Sequence, residues 1–375
     1  MFSFRVFCLA FGAMLTTLCA PVAANTPGEI VFGQSIDLSG AAAQLGKDAQ
    51  RGAKVYFDYV NSKGGVHGRK IIVHYLDDAN EGVRSAANTR KFIEEDKVFA
   101  VFGYLDGPTI AAALPLITAA KVPLIGPFNG NSILRKPNRY VFHVRASFFD
   151  EGDKMIEQLT SLGMTKIAAL YPDDPVGNAA REGTDRSMKQ RGLQLVSSAT
   201  YKRDDKDLGA AVKTIYAGNP QAVILISQYR IASAFIKQAK QMGFGAQYMT
   251  LSVVGPTQLV KELGDDSRGI GTSQVVPFPF VRRTALVTEY QSLMRASGNQ
   301  EFSFTSLESF MIAKVIVEGL KRAGPNPTRE KYIDALEGIS KFDLGGVTIS
   351  FSPNDHNGGK YVEINVIGKG GKFID

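Results

Sequence analysis

The residues of this chain that could do chemistry lie scattered in short loops. Asp173 and Asp174 stand side by side, which would suit a general acid and base if their surroundings separated their pKa values. Adjacent aspartates between a strand and a helix also satisfy the helix's first backbone N–H groups. Four histidines, His67, His74, His143 and His356, occur at no metal-ligand spacing. The stretch Gly40 to Lys47, GAAAQLGK, comes close to a phosphate-binding loop. It has five residues between its glycines, one too many, and Asp48 where a hydroxyl would hold magnesium. GFGAQY, from Gly243, lacks the last glycine of a dinucleotide fingerprint, and no G-x-S-x-G elbow offers an activated serine. No cofactor, metal or catalytic set is expected. What remains are loops of glycine and short polar residues, suited to holding a ligand.

Those loops are positioned by a regular alternation of elements. Apolar runs with strand character span Ile30 to Ile36, Ile71 to Leu76, Val98 to Leu105, Val122 to Phe128, Ile167 to Tyr171, Leu193 to Thr200, Val223 to Ser227 and Tyr248 to Ser252. Helices sit between them. In the first, Ala49, Ala53, Tyr56, Phe57 and Val60 form one apolar stripe, and Gly64-Gly65 ends it by accepting a left-handed backbone. Strand and helix taking turns predict an α/β fold of parallel sheets with helices on both faces. The rhythm breaks at RYVFHVRAS, Arg139 to Ser147, and restarts with a helix over Asp150 to Leu162. It ends at QVVPFP, Gln274 to Pro279, and the helices Thr284 to Ala296, Thr305 to Ala323 and Thr328 to Leu336 follow. Strands at Val347 to Phe351 and Tyr361 to Ile367 close the chain. The expected architecture is two doubly wound parallel-sheet lobes, 25–143 with 276–348 and 144–275 with 349–375, crossing near His143, Val275 and Ile349.

In open α/β sheets ligands bind beyond the carboxyl ends of the strands. In the first lobe these ends bring Ser39, Gln44 and Leu45, then Leu105, Asp106, Gly107 and Thr109, then Phe128, Asn129 and Gly130. In the second they bring Asp173 to Gly177 with Val176, then Tyr229 and Ser252. Phe278 joins them from the second crossing. Glycine and small polar residues let backbone N–H groups approach an anion at a helix start; the same residues are ordinary turn formers. Tyr229 and Phe128 could form apolar walls or pack within their own lobes. Asp106 could meet a cationic group or sit in the turn before its helix. Arg145 could hold an anionic ligand or pair with Asp150 or Glu151, and the ion pair is expected because those acids lie close in sequence.

Composition narrows the function classes. The formal net charge of +7 comes from interleaved acids and bases, which gives no footprint for nucleic acid. Residues 1–24 carry only Arg5, an apolar run from Val6 to Leu18 and small residues up to Ala24, the layout of a cleavable secretory signal. That run is shorter than the ~20 residues needed to span a bilayer. Both cysteines, Cys8 and Cys19, fall inside it, so no disulfide is expected after cleavage near Asn25. A soluble, exported, monomeric protein is the expectation.

The run FGQSIDLSGAAAQLGKDAQRGAKVYFDYVNSKGGVHGRKI resembles the opening of type I periplasmic solute-binding proteins, the leucine/isoleucine/valine-binding family of ABC-importer receptors. VFGYLDGPTIAAALPLITAAKVPLIGP, RYVFHVRAS, ALYPDDPVGNAAREG and ILISQYRIASAFIKQAKQMGF agree in order, so the likeness covers the mature chain. It implies a periplasmic receptor that traps a small amino-acid-like or carboxylate-bearing solute between two closing lobes, and performs no chemistry on it. Its partners would be a membrane permease and an ATPase. The same fold could instead report to a chemoreceptor or sensor kinase, and a hydrolase is the third reading. In the amino-acid-binding branch, loop hydroxyls and amides hold the α-carboxylate, at positions matched here by Gly107, Pro108, Thr109, Asn129 and Gly130. The acid that meets the α-ammonium is matched by Ser252, and two site aromatics are matched by Leu45 and Val176.

Overall fold

The computed structural model describes residues 28–40 and 42–374, so the leader and both cysteines lie outside the described residues. The chain opens with β1 (Glu29–Ile36), α1 (Ala43–Ser62), β2 (Lys70–Asp77), α2 (Gly82–Glu94), β3 (Ala100–Phe102), α3 (Gly107–Ala119), β4 (Leu124–Ile125) and β5 (Val141–Phe142). These strands form one parallel sheet in the order β2-β1-β3-β4-β5. The second series is α4 (Phe148–Ser161), β6 (Ile167–Pro172), α5 (Pro175–Gln190), β7 (Ser197–Tyr201), α6 (Gly209–Ala217), β8 (Ala222–Leu225), α7 (Tyr229–Gln241), β9 (Gln247–Thr250), α8 (Pro256–Leu263) and β10 (Gly271–Gln274). It repeats the same parallel winding, and the order reverses between β1 and β3 in one sheet and between β6 and β8 in the other.

The remaining elements are α9 (Ala285–Ala296), α10 (Phe304–Ala323), α11 (Arg329–Glu337), β11 (Phe342–Asp343), β12 (Thr348–Ile349), β13 (Glu363–Ile367) and β14 (Phe373–Ile374). The late helices pack against the core of the first sheet. Tyr290, Phe310 and Tyr332 share a core with Phe32 and Phe57, and the whole stripe of α1 is buried there. Helix α10 lies so close to α1 that a Cβ on Gly52 would sit 1.9 Å from the Ser306 carbonyl oxygen. The second lobe's edge departs from the expected parallel pattern, because β13 and β14 add antiparallel strands outside β10.

Three passages join the lobes. His143 runs beside Asn357, with His143 N–H donating to His356 O (2.8 Å) and Gly358 N–H to His143 O (2.9 Å), so the first and third are paired. The third falls later than Ile349. Ile349 and Phe351 are packed into the first core, and the chain enters the second sheet only at Glu363. The predicted strand Val347 to Phe351 is two residues long and pairs with β11 in its own small sheet. The alternation of Val347, Ile349 and Phe351 is a burial pattern, and here it faces the first lobe's helices. No described helix is long and apolar enough to cross a membrane.

Candidate functional site

Both points where strand order reverses face the same gap, and a cavity lies there between the lobes. The first lobe lines it with Leu45, Leu105, Asp106, Phe128, Asn129, Thr305 and Glu308. The second contributes Phe148, Pro172, Val176, Gly177, Ala180, Tyr201, Arg203, Ile226, Ser227, Gln228, Ser252 and Val253, with Arg145 from the first crossing. Aliphatic and aromatic side chains form the walls, and the polar groups fall into two charged sets, one at the rim and one at the floor. Small-molecule sites are commonly built this way, apolar with a few placed polar groups.

The rim set joins the lobes. Asp106 begins α3 with φ +71° and ψ 152°, a backbone region that favours glycine and that costs other residues roughly 1–3 kcal/mol. Its carboxylate accepts from Gly107 N–H (2.7 Å) and, across the gap, from Arg203 Nη1 (3.1 Å). Arg203 Nε donates to Asp174 Oδ2 (2.7 Å), and Asp174 also caps α5 by accepting from Gly177 N–H (2.7 Å). The cation that meets Asp106 is therefore an arginine of the opposite lobe. Asn131 Nδ2 donates to the Val176 carbonyl, and Phe148 N–H to Gly130 O (2.8 Å), so the lobes touch around the cavity. Arg203 is half-buried, where solvent leaves such a pair worth about 0–1 kcal/mol. Arg203→Ala is expected to weaken solute binding by about two- to fivefold in low salt and by less in high salt, as titration calorimetry at two ionic strengths would show.

The floor set is buried. Arg145 is 2% exposed; its Nη2 lies 3.4 Å from Glu151 Oε1 and donates to Ser252 Oγ, and its Nε lies 3.6 Å from Glu308 Oε1. Glu151, rather than Asp150, is the partner of this hinge arginine, because Asp150 is used in a capping box with Ser147. Glu151 is further held by Ser252 N–H (2.8 Å), Ser252 Oγ (3.0 Å) and Ser273 Oγ (2.6 Å). Burial pushes the Glu308 carboxyl up to about 7; Arg145 pulls it down, Glu151 pushes it up and Arg135 pulls it down.

Of the residues expected from sequence, Leu45, Leu105, Asp106, Phe128, Asn129, Val176 and Ser252 line the cavity. Gly107 and Gly130 stand where the lobes approach closely: a Cβ would lie 2.7 Å from Val176 Cγ1 at Gly107 and 2.6 Å from the Phe148 backbone nitrogen at Gly130. The other five lie off the cavity lining. Ser39 donates to Asp77 (2.5 Å) and Gln44 to Asp48 (3.0 Å). Thr109 is buried with its hydroxyl donating to the carbonyls of Leu105 and Asp106. Tyr229 packs in the second-lobe core beside cavity-lining Gln228. Phe278 packs against Phe280 and Phe304.

Sequence reasoning missed Arg203, Thr305 and Glu308. Arg203 follows β7, whose carboxyl end obeys the same rule as the loops that were read. Glu308 carried its own signal, as a lone acid in the apolar run of α10. Among the described residues no group of three or more histidine, cysteine or acidic side chains could hold a metal ion. The arrangement can orient and desolvate a small molecule.

A family model described as "Periplasmic binding protein" matches residues 29–372. The Leu/Ile/Val-binding protein homolog 7 of Brucella melitensis biotype 1 is 25% identical, over 94% of this chain and 86% of its own. A substrate-binding periplasmic protein from Ralstonia solanacearum is 33% identical with a TM-score of 0.86, covering 92% of this chain and 99% of that one. A possible leucine/isoleucine/valine-binding protein from Rhodopirellula baltica is 29% identical with a TM-score of 0.88, covering 95% and 98%.

Proposed function

The chain belongs to the periplasmic binding protein family and is a solute-binding receptor; on that premise we propose that it captures an amino-acid-like or carboxylate-bearing small molecule outside the cytoplasm and delivers it to an ABC importer. The observation that carries the reading is the cavity that both lobes build from the carboxyl ends of their strands. Open and closed forms interconvert by rotation at the three crossings, and a solute that touches both lobes favours the closed form by its differential contacts. Asn129, the turn at Gly107 and the start of α3 supply polar contacts on the first-lobe side. Phe128, Phe148, Val176 and Ile226 enclose the apolar part. A micromolar dissociation constant corresponds to about −8 kcal/mol, within reach of one buried charged contact, a few hydrogen bonds and apolar walls. Relatives named as Leu/Ile/Val-binding proteins support the amino-acid-like class.

A thermal-shift screen over amino acids, short amides and carboxylates tests the ligand class. A binder at 100 times its dissociation constant should stabilise the folded state by about 2.7 kcal/mol and be recovered chemically unchanged. Conversion of the binder would overturn the receptor reading. Import is tested by deleting the gene: loss of uptake of that binder supports delivery to a permease, and intact uptake contradicts it.

A further inference from the structure

We propose that the trough between α8, the second crossing and the β13–β14 turn is a second ligand site, taking a small amphiphilic anion whose hydrocarbon body lies on aromatic side chains and whose carboxylate faces two lysines. The inference goes beyond the receptor reading and does not rest on it. Val260, Phe278, Phe280, Val281 and Phe373 wall the trough, and none of them lines the cavity between the lobes. Phe278, expected from sequence to touch a ligand, lies here. The floor is a preformed aromatic cluster. Phe280 stacks on Phe373 with ring centroids 5.6 Å apart and planes at 4°, and Phe304 meets the two rings edge-on at 5.7 and 5.4 Å. Phe304 belongs to the first core and Phe280 packs against it, whereas Phe373 comes from the edge strand of the second sheet, so an occupant touches both lobes. Phe280 and Phe373 stay half-buried and Val281 is 44% exposed, which leaves apolar surface in water that a hydrocarbon body would cover.

The charges beside the trough choose the other end of the ligand. Thr257, Val260 and Lys261 fall on one face of α8, at i, i+3 and i+4, and all three line the trough. Lys372 lines it from the turn Gly368-Lys369-Gly370-Gly371-Lys372. Gly371 makes that approach possible. Its φ is +72°, and a Cβ there would lie 2.4 Å from Val260 Cγ1, so a glycine is needed for the turn to close on α8. Both lysines are exposed and make no ion pair with a described residue. Among the described residues no acid lines the trough. An aromatic floor beside two unpaired cations matches a molecule with the complementary pattern, a hydrocarbon body ending in one carboxylate. A neutral body leaves the cations unused, and a cationic one meets repulsion.

Matched probes with one hydrocarbon body, 4-phenylbutanoate, 4-phenylbutan-1-ol and 4-phenylbutylamine, test this by titration calorimetry in low salt. The expected result is saturable binding of 4-phenylbutanoate, about three- to tenfold tighter than the alcohol and tighter still than the amine, weakening as salt is raised. Exchanging both cations, Lys261→Glu with Lys372→Glu, should reverse the order, so that the amine binds best and the carboxylate worst. Both side chains are exposed, so the exchange is expected to leave the melting temperature near that of the wild type. The first preference is read on the unmodified protein, so a variant that failed to fold would not shelter the inference. No binding of 4-phenylbutanoate, binding no tighter than that of the alcohol, or an unchanged order in the folded double variant would overturn it. Self-association abolished by the same exchange, with no probe bound, would give the trough to a second copy of the chain and overturn it too. The receptor reading would survive each of these results, since neither lysine lines the cavity between the lobes.

Discussion

Replacing Arg145 with alanine is expected to destabilise the empty protein by about 3–5 kcal/mol at pH 8, because it leaves two buried carboxylates, Glu151 and Glu308, without their shared cation. The loss should shrink towards pH 5.5. Glu308 has a folded pKa of about 7 against an ordinary 4.5, so its stabilising contribution belongs to the protonated form. That contribution is complete below about 4.5 and is lost as the pH rises through about 7. Once Arg145 is gone, the carboxyl holds its proton to higher pH still, and acid relieves the unpaired charge. Asp78, pushed up to about 6 by burial, contributes in the same sense but lies in the first lobe away from this network. Chemical denaturation of the wild type, Arg145→Ala and Glu308→Gln at pH 5.5 and 8 checks the scheme. Glu308→Gln should flatten the pH dependence between about 4.5 and 7, whereas an Arg145→Ala loss equal at both pH values would contradict it.

Replacing Gly130 with valine is expected to weaken solute binding roughly 5- to 150-fold, the equivalent of the 1–3 kcal/mol typical of overpacking, with little change in the melting temperature of the empty protein. A Cβ at this position would lie 2.6 Å from the backbone nitrogen of Phe148 and 2.5 Å from its ring, both across the gap. On the lobe closure proposed above, the clash arises when the lobes meet. It would break the Phe148 N–H to Gly130 O bond and hold the lobes apart, so the open form is spared and the closed form carries the whole penalty. Calorimetric affinity together with small-angle scattering reads both consequences. Unchanged affinity, or a large fall in empty-protein stability with affinity retained, would show that this contact is not part of closure.

The alternation of strand and helix and the stripe on α1 were legible because they are local: each follows from spacing within one element. The carboxyl-end rule then found Leu45, Asp106, Phe128, Asn129, Val176 and Ser252, since a loop's position relative to its strand is also local. It could not tell which loop residues turn inward. Thr109 and Tyr229 sit at helix starts beside the cavity, yet the first satisfies carbonyls of its own turn and the second belongs to a core. Arg203 and Glu308 were missed for the opposite reason. Their importance comes from partners about 100 and 160 residues away in the chain, Asp106 and Arg145, which meet them only through the folded topology. The third crossing was placed too early because the apolar alternation around Ile349 signals burial without saying in which lobe.

The most direct test of the account is to dialyse the purified protein against a mixture of small metabolites, remove the unbound molecules, unfold it, and identify what is released by mass spectrometry. The account predicts one unmodified small molecule per chain and a much smaller yield from Gly130→Val. Release of nothing, of a chemically altered product, or of the same amount from the blocked variant would contradict capture in the cavity between the lobes.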